Sequence, residues 1–140
     1  MNELNITERP AESILILDLK GNIRIGEDSL NVHRTLRQLL ERGEKRILLN
    51  LADVSYIDSS GLGELVGGYA TCRKQGVELK LLNLTARVRE LMVITKLLIV
   101  FEVFEDEREA IASFGAPEAE VEGTLSAAAT GKLPRTSSIL

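Results

Sequence analysis

Apolar residues along the chain follow two spacings, one typical of strands and the other of helices. Four short runs rich in branched aliphatic residues predict strands at 13–20, 46–51, 78–84 and 101–104. Between and after them, residues recur three or four positions apart, which predicts amphipathic helices. The residues on these helical faces are Leu30, Leu36, Leu39 and Leu40, then Leu62, Leu65, Val66 and Tyr69, then Val88, Leu91, Met92 and Thr95, and finally Ile111 and Phe114.

The ends of these elements predict how they connect. Residues 4–8 alternate weakly and predict an edge strand, which a turn at 9–12 joins to the next strand. The helices are expected to end at 42–44 and near Gly76, and Thr85 is expected to cap the third. Strands that alternate with helices require crossover connections and therefore a largely parallel sheet. The predicted fold is α/β, a single mixed sheet with an antiparallel edge hairpin and about four helices.

The apolar pattern stops near Pro117. Alanine, glutamate, glycine, threonine and serine dominate from there, and such a composition buries too little apolar surface to offset the entropy of ordering. The sequence therefore predicts one domain over 1–115 and a flexible tail over 116–140.

Composition narrows the class of partner. A formal net charge of −4 argues against a nucleic-acid surface, which would need a basic face. A single cysteine, Cys72, forms no internal disulfide and fits a reducing compartment. Neither a signal peptide nor an apolar stretch of about 20 residues is present, so we expect a cytoplasmic protein without direct membrane insertion.

The candidate chemistry lies in Asp58–Gly63, between a predicted buried strand and the helix that Leu62 is expected to open. The first N–H groups of a helix are unpaired and carry a partial positive charge, which suits an anion. Gly61 and Gly63 leave room for another molecule. A serine hydroxyl placed here, on Ser59 or Ser60, is a candidate phosphoacceptor.

Simpler alternatives remain open from the residues alone. Asp58 or Ser59 is also a suitable N-cap without further function. Gly61, Gly63 and Gly67 resemble a dinucleotide turn, but Asn83 stands where an acid would be needed to hold a ribose. The sequence shows no catalytic residues of a hydrolase, because no GxSxG elbow surrounds Ser59 and the single histidine, His33, lies on the first helix. Neither a metal site nor a cofactor is predicted.

The run 47–63, with Asp58-Ser59-Ser60-Gly61-Leu62-Gly63 at its end, resembles the signature of the STAS domain family, and more narrowly of bacterial anti-sigma factor antagonists. The resemblance covers about residues 4–115. It implies that an anti-sigma factor, itself a serine kinase, phosphorylates the first serine of the pair, Ser59, in preference to Ser60. It further implies that the unphosphorylated form binds that kinase and frees a sigma factor, and that a PP2C-type phosphatase restores it.

One stretch departs from the family pattern. Members often carry acids in a Gly-Glu-Leu-Asp sequence, whereas Asn22 and Arg24 stand at those positions here. The family fold implies that this loop borders the serine. Arg24 would then either pair with a phosphate on Ser59 or remain a solvated arginine. The missing acids also favour an alternative function, a STAS accessory or scaffold subunit of a transport or signalling complex that docks without a phosphorylation cycle.

Overall fold

Five strands and four helices follow one another in the order that the apolar pattern predicts. The computed structural model describes residues 3–115, so the tail predicted for 116–140 lies outside the described residues. The elements are β1 (Asn5–Ala11), β2 (Ile14–Ile23), α1 (Glu27–Glu41), β3 (Arg46–Ile57), α2 (Ser59–Lys74), β4 (Glu78–Leu82), α3 (Ala86–Ile94), β5 (Val103–Phe104) and α4 (Glu107–Ser113).

The strands form one sheet in the order β1-β2-β3-β4-β5. β1 pairs antiparallel with β2, and every other neighbouring pair is parallel. The helices α1, α2 and α3 each connect two adjacent parallel strands, as crossover connections do. The predicted mixed α/β sheet with an antiparallel edge hairpin is therefore confirmed.

Alternate residues of β2 show how the two faces of the sheet are covered. Leu15 and Leu17 pack into the larger core, which also contains the buried residues of α1, α2 and α3. Ile14 and Ile16 point the other way into a smaller core that is completed by α4. Because side chains alternate across a strand, this division places three helices on one face and α4 on the other.

The strands around the candidate site are longer than the apolar runs predict. β3 continues to Ile57, where the prediction ended at Leu51, and beyond Asn50 it pairs with β2 alone. Polar residues along this extension face solvent while Val54 and Ile57 stay buried, so a continuous apolar run underestimates it. β2 likewise passes through Gly21, with irregular pairing on both sides, and ends at Ile23.

Other boundaries differ by a few residues. β1 extends through the predicted turn to Ala11, and the reversal occurs at Glu12, which has a positive φ of 58°. β4 ends at Leu82 because Asn83 has left-handed backbone (φ 56°), and β5 is only two residues long. Thr85 caps α3 as predicted. Leu30 was assigned to the apolar face of α1, but it is 51% exposed.

Candidate functional site

The candidate site is the junction between β3 and α2, where Asp58 is the only residue between the two elements. The prediction that Leu62 opens the helix was wrong, because α2 begins at Ser59. Asp58 has extended backbone and its Oδ1 accepts a hydrogen bond from the Gly61 N–H at 2.9 Å. Asp58 is therefore the N-cap that the sequence allowed, and Ser59 is the first residue of the helix.

Asp58 also joins the junction to the loop between β2 and α1. Its Oδ2 accepts from the Ile25 N–H at 3.0 Å, and its own N–H donates to the Ile23 carbonyl at 3.2 Å. The loop that contains Arg24 therefore borders the serine pair, as the family fold implies. Both carboxylate oxygens of Asp58 therefore accept backbone hydrogen bonds, Oδ1 from α2 and Oδ2 from the neighbouring loop.

The ionisation of Asp58 reflects these contacts. Burial alone would raise the pKa of the carboxyl, but the surrounding backbone N–H groups, led by those of Gly61 and Ile25, hold the pKa below its usual value. Hydrogen bonds to a charged form favour that form. The Asp58 side chain is therefore a carboxylate at neutral pH, and it accepts hydrogen bonds from backbone N–H groups at the start of α2.

The two serines that follow differ in their surroundings. Ser59 is exposed, and its hydroxyl makes no hydrogen bond to any residue that the structure describes. Ser60 is half-buried, and its Oγ lies 3.2 Å from the Oγ of Ser29 on α1. The sequence preferred Ser59 over Ser60, but it held no signal for the contact with Ser29.

The remaining predicted site residues divide into buried and open positions. Gly61 and Leu62 are buried, and Leu62 packs into the larger core. A Cβ on Gly63 would meet no atom within 4 Å, so this position is open to an approaching molecule. Gly61 and Leu62 thus support the junction from inside, and Gly63 belongs to its surface.

Arg24 does not contact the serine pair directly. Its Nε lies 3.7 Å from Oδ2 of Asp28, and 49% of its side chain is exposed. Next to it, Ile25 is 76% exposed, which makes it one of the most exposed large apolar residues described. Sequence reasoning missed Ile25, because a single apolar residue inside a polar loop fits neither a strand nor a helix pattern.

A groove of about 670 Å³ between α1 and α2 begins beside Gly63. It runs along Gly67 and Gly68 toward the end of α2, and His33 contacts Glu64 across it at 3.2 Å.

No cluster of three or more metal-ligating side chains occurs among residues 3–115. In the same part of the chain, the helices are too short or too polar to span a membrane.

Comparison with known proteins places this fold in a family. A family model described as "STAS domain" matches residues 5–110. The chain belongs to the STAS domain family. The predicted resemblance is thus confirmed for the domain.

One relative agrees with the narrower resemblance, and solved structures agree with the fold. The anti-sigma-B factor antagonist of Bacillus subtilis (strain 168) is 33% identical over 100 residues, which are 71% of this chain and 90% of that protein. A crystal structure of an anti-sigma factor antagonist from Mycobacterium paratuberculosis matches with a TM-score of 0.68 over 79% of this chain and 93% of that one, and at 13% identity it shows the fold alone.

The Bacillus protein SpoIIAA, an anti-sigma factor antagonist, has been solved in two states. Its phosphorylated form matches with a TM-score of 0.61 over 79% of this chain and 97% of that one. Its unphosphorylated form matches with a TM-score of 0.59 over 85% and 99%. At 19% identity these structures show the fold alone. The narrower resemblance therefore rests on the anti-sigma-B factor antagonist of Bacillus subtilis.

Proposed function

We propose that this protein is an anti-sigma factor antagonist that binds an anti-sigma factor kinase while Ser59 is unphosphorylated. Binding releases a sigma factor, and phosphorylation of Ser59 ends it. The observation that carries the proposal is the exposed, unbonded Ser59 hydroxyl at the first position of α2. The kinase and a PP2C-type phosphatase supply the chemistry, and no catalytic step is assigned to this chain.

A phosphate on Ser59 is compatible with the fold. Phosphorylation adds about −1.5 to −2 charges at neutral pH, and the N-terminus of a helix stabilises negative charge. The Ser59 side chain is exposed, so the phosphate displaces no core residue. The domain is therefore expected to keep its structure in both states.

The partner is expected to dock on the surface around Ser59. Ile25 is 76% exposed and Leu30 is 51% exposed. Ile25 is hydrogen-bonded to Asp58, and Leu30 follows the serine that contacts Ser60. Together with the open Gly63, these residues define what we call the docking face: Ile25, Leu30, Ser59 and Gly63. Exposed apolar groups around one hydroxyl suit a partner that excludes water there.

A dianion in the middle of this face would oppose docking. Burying a charged group without its partner at an interface costs about 2–5 kcal/mol, which weakens affinity about thirty- to several-thousand-fold. The switch therefore needs no conformational change. Arg24 is proposed to turn from its 3.7 Å contact with Asp28 toward the phosphate, since its side chain is half exposed.

The proposed working unit is the domain over 1–115, acting in the cytoplasm without a cofactor, with 116–140 as an appended tail. The alternative function, a STAS accessory or scaffold subunit, predicts docking that is independent of any phosphate. A phosphorylation experiment and a binding experiment together separate the two.

The full-length chain is incubated with ATP and a candidate anti-sigma factor kinase, and phosphate is located by mass spectrometry. We expect one phosphate on Ser59 in the wild type and none at this position in Ser59→Ala. Ser55→Ala removes another exposed hydroxyl on β3 and is the matched control, which should be phosphorylated like the wild type. If Ser59→Ala gained phosphate at the wild-type rate, the site assignment would be wrong.

Binding of the same kinase tests the switch itself. Ser59→Ala should bind as the wild type does, because the docking face keeps its neutral centre. Ser59→Asp should bind about thirtyfold more weakly or worse, measured by titration calorimetry. Equal affinity of Ser59→Asp and wild type would contradict the electrostatic switch and support docking without a phosphorylation cycle.

A further inference from the structure

Ser29 is a buried serine in the first turn of α1. Only 5% of the surface of Ser29 is exposed. Its backbone N–H and its Oγ both donate to the carbonyl of Arg24, at 3.1 Å and 2.9 Å. The hydroxyl hydrogen of Ser29 is therefore already used, and its oxygen remains available only as an acceptor.

This assigns the direction of the contact between the two serines. The Oγ atoms of Ser29 and Ser60 are 3.2 Å apart. Since the Ser29 hydroxyl already donates to the Arg24 carbonyl, the Ser60 hydroxyl is the donor in this contact. The Ser60 hydroxyl is thus turned toward α1, and Ser59 beside it has no such contact within the described chain.

We propose that Ser29 is a positioning residue that directs phosphoryl transfer to Ser59 by holding the hydroxyl of Ser60 against α1. The inference rests on the proposed function, because it concerns the same kinase reaction. Two adjacent serines otherwise offer the kinase two nucleophiles of equal chemistry. The contact between α1 and α2 makes Ser60 the less available of the two.

The transfer itself shows why the contact matters. The serine Oγ forms a bond to the γ-phosphorus of ATP, the bond from that phosphorus to the bridging oxygen breaks, and ADP leaves. The hydroxyl proton passes to a base of the kinase. At Ser60 this requires the hydroxyl to release Ser29 and turn outward.

The test removes the acceptor and measures where phosphate goes. Full-length Ser59→Ala and the double variant Ser29→Ala/Ser59→Ala are incubated with kinase and ATP, and the phosphate on Ser60 is followed by fragment mass spectrometry. We expect the rate at Ser60 to rise about two- to tenfold in the double variant, the equivalent of one neutral hydrogen bond. In the Ser29→Ala single variant, phosphate should appear on both serines.

Two further variants separate positioning from a general loss of structure. Ser29→Thr keeps a hydroxyl and should return the Ser60 rate to that of Ser59→Ala. Thr35→Ala removes a side-chain hydrogen bond to Asn31 elsewhere on α1 and should leave the Ser60 rate unchanged in the Ser59→Ala background.

The outcomes distinguish this inference from the proposed function. If the wild type is phosphorylated on Ser59 but the double variant matches Ser59→Ala at Ser60, the role of Ser29 is refuted and the proposed function stands. If Thr35→Ala raises the Ser60 rate as much as Ser29→Ala does, the effect is not specific and the role is again refuted. If the wild type gains no phosphate on Ser59, the proposed function fails and this inference fails with it.

Discussion

Gly61 and Gly63 stand two residues apart in α2 and meet opposite surroundings. A Cβ on Gly61 would lie 2.4 Å from the carbonyl oxygen of Ile23 and 2.9 Å from Cγ1 of Ile57. A Cβ on Gly63 would meet nothing within 4 Å. Gly61 is therefore required by the close approach of α2 to the end of β2, and Gly63 is not required by the fold.

These positions give a matched pair of substitutions. Gly61→Ala should lower the free energy of unfolding by about 1–3 kcal/mol, as overpacking does, because the nearest obstacle is backbone. Gly63→Ala should leave it unchanged or raise it by up to about 1 kcal/mol, since alanine favours a helix. Urea unfolding of both variants measures the difference. Equal stability of Gly61→Ala and wild type would contradict the close approach.

The candidate site was predictable as far as local chemistry reaches. Asp58 as a cap follows from the order of residues around one helix start, whereas the preference for Ser59 follows from the family resemblance. Ser29 and Ile25 do not, because they lie about 30 residues earlier and reach the site only through the pairing of β2 with β3. Such contacts depend on strand register, which no single segment specifies.

At the scale of elements, α4 is joined to the sheet by a buried lysine. Lys80 lies on β4 and is 7% exposed. Its Nζ donates to the Ser113 carbonyl at 3.0 Å, contacts Glu102 at 2.9 Å, and lies 4.6 Å from the centre of the Phe114 ring. A cation beside the last carbonyls of a helix is favourable. Lys80 therefore stabilises the end of α4.

Replacing Lys80 should loosen α4 more than the rest of the domain. Lys80→Met keeps an unbranched side chain but loses the charged hydrogen bonds, and it should reduce stability by about 2 kcal/mol. Amide hydrogen exchange should accelerate in α4 while Ser59 is phosphorylated as before. Glu102→Gln is the control: its carboxylate side chain is 63% exposed, so it should cost less than about 1 kcal/mol. Unchanged exchange in α4 of Lys80→Met would contradict this role.

The elements themselves were predictable where one spacing dominates, as in the leucines of α1 and the apolar run that begins β3. The extension of β3 to Ile57 was not, because two exposed residues precede each of its buried residues, Val54 and Ile57, and it pairs on one side only. Leu30 was misplaced because it does not share the helical spacing of the other leucines. It stands six residues before Leu36, about 120° around a helix of 3.6 residues per turn, and α1 leaves it exposed.

At the scale of the whole molecule, carboxylates join elements that are distant in sequence. Hydrogen bonds from Arg9 on β1 lower the pKa of Asp18 on β2 and of Glu107 on α4. A hydrogen bond from Arg42, which follows α1, lowers the pKa of Glu8 on β1. With Asp58, these contacts connect strands to helices on both faces of the sheet, so their protonation affects the whole domain.

The sign of the resulting pH dependence is fixed by these shifts. A carboxyl group whose pKa is lower in the folded state binds fewer protons there than in the unfolded state. Stability from these groups is therefore complete above their unfolded pKa values of about 4, and it is lost as pH falls from there toward the folded values.

Urea unfolding at a series of pH values should show a free energy of unfolding that declines below about pH 4. Asp18→Asn should make that decline shallower, because one group no longer titrates, whereas Glu12→Gln, at the exposed β1–β2 turn, should leave it unchanged. If the free energy of unfolding stays level or rises on acidification, the folded chain does not stabilise the ionised form of these carboxylates.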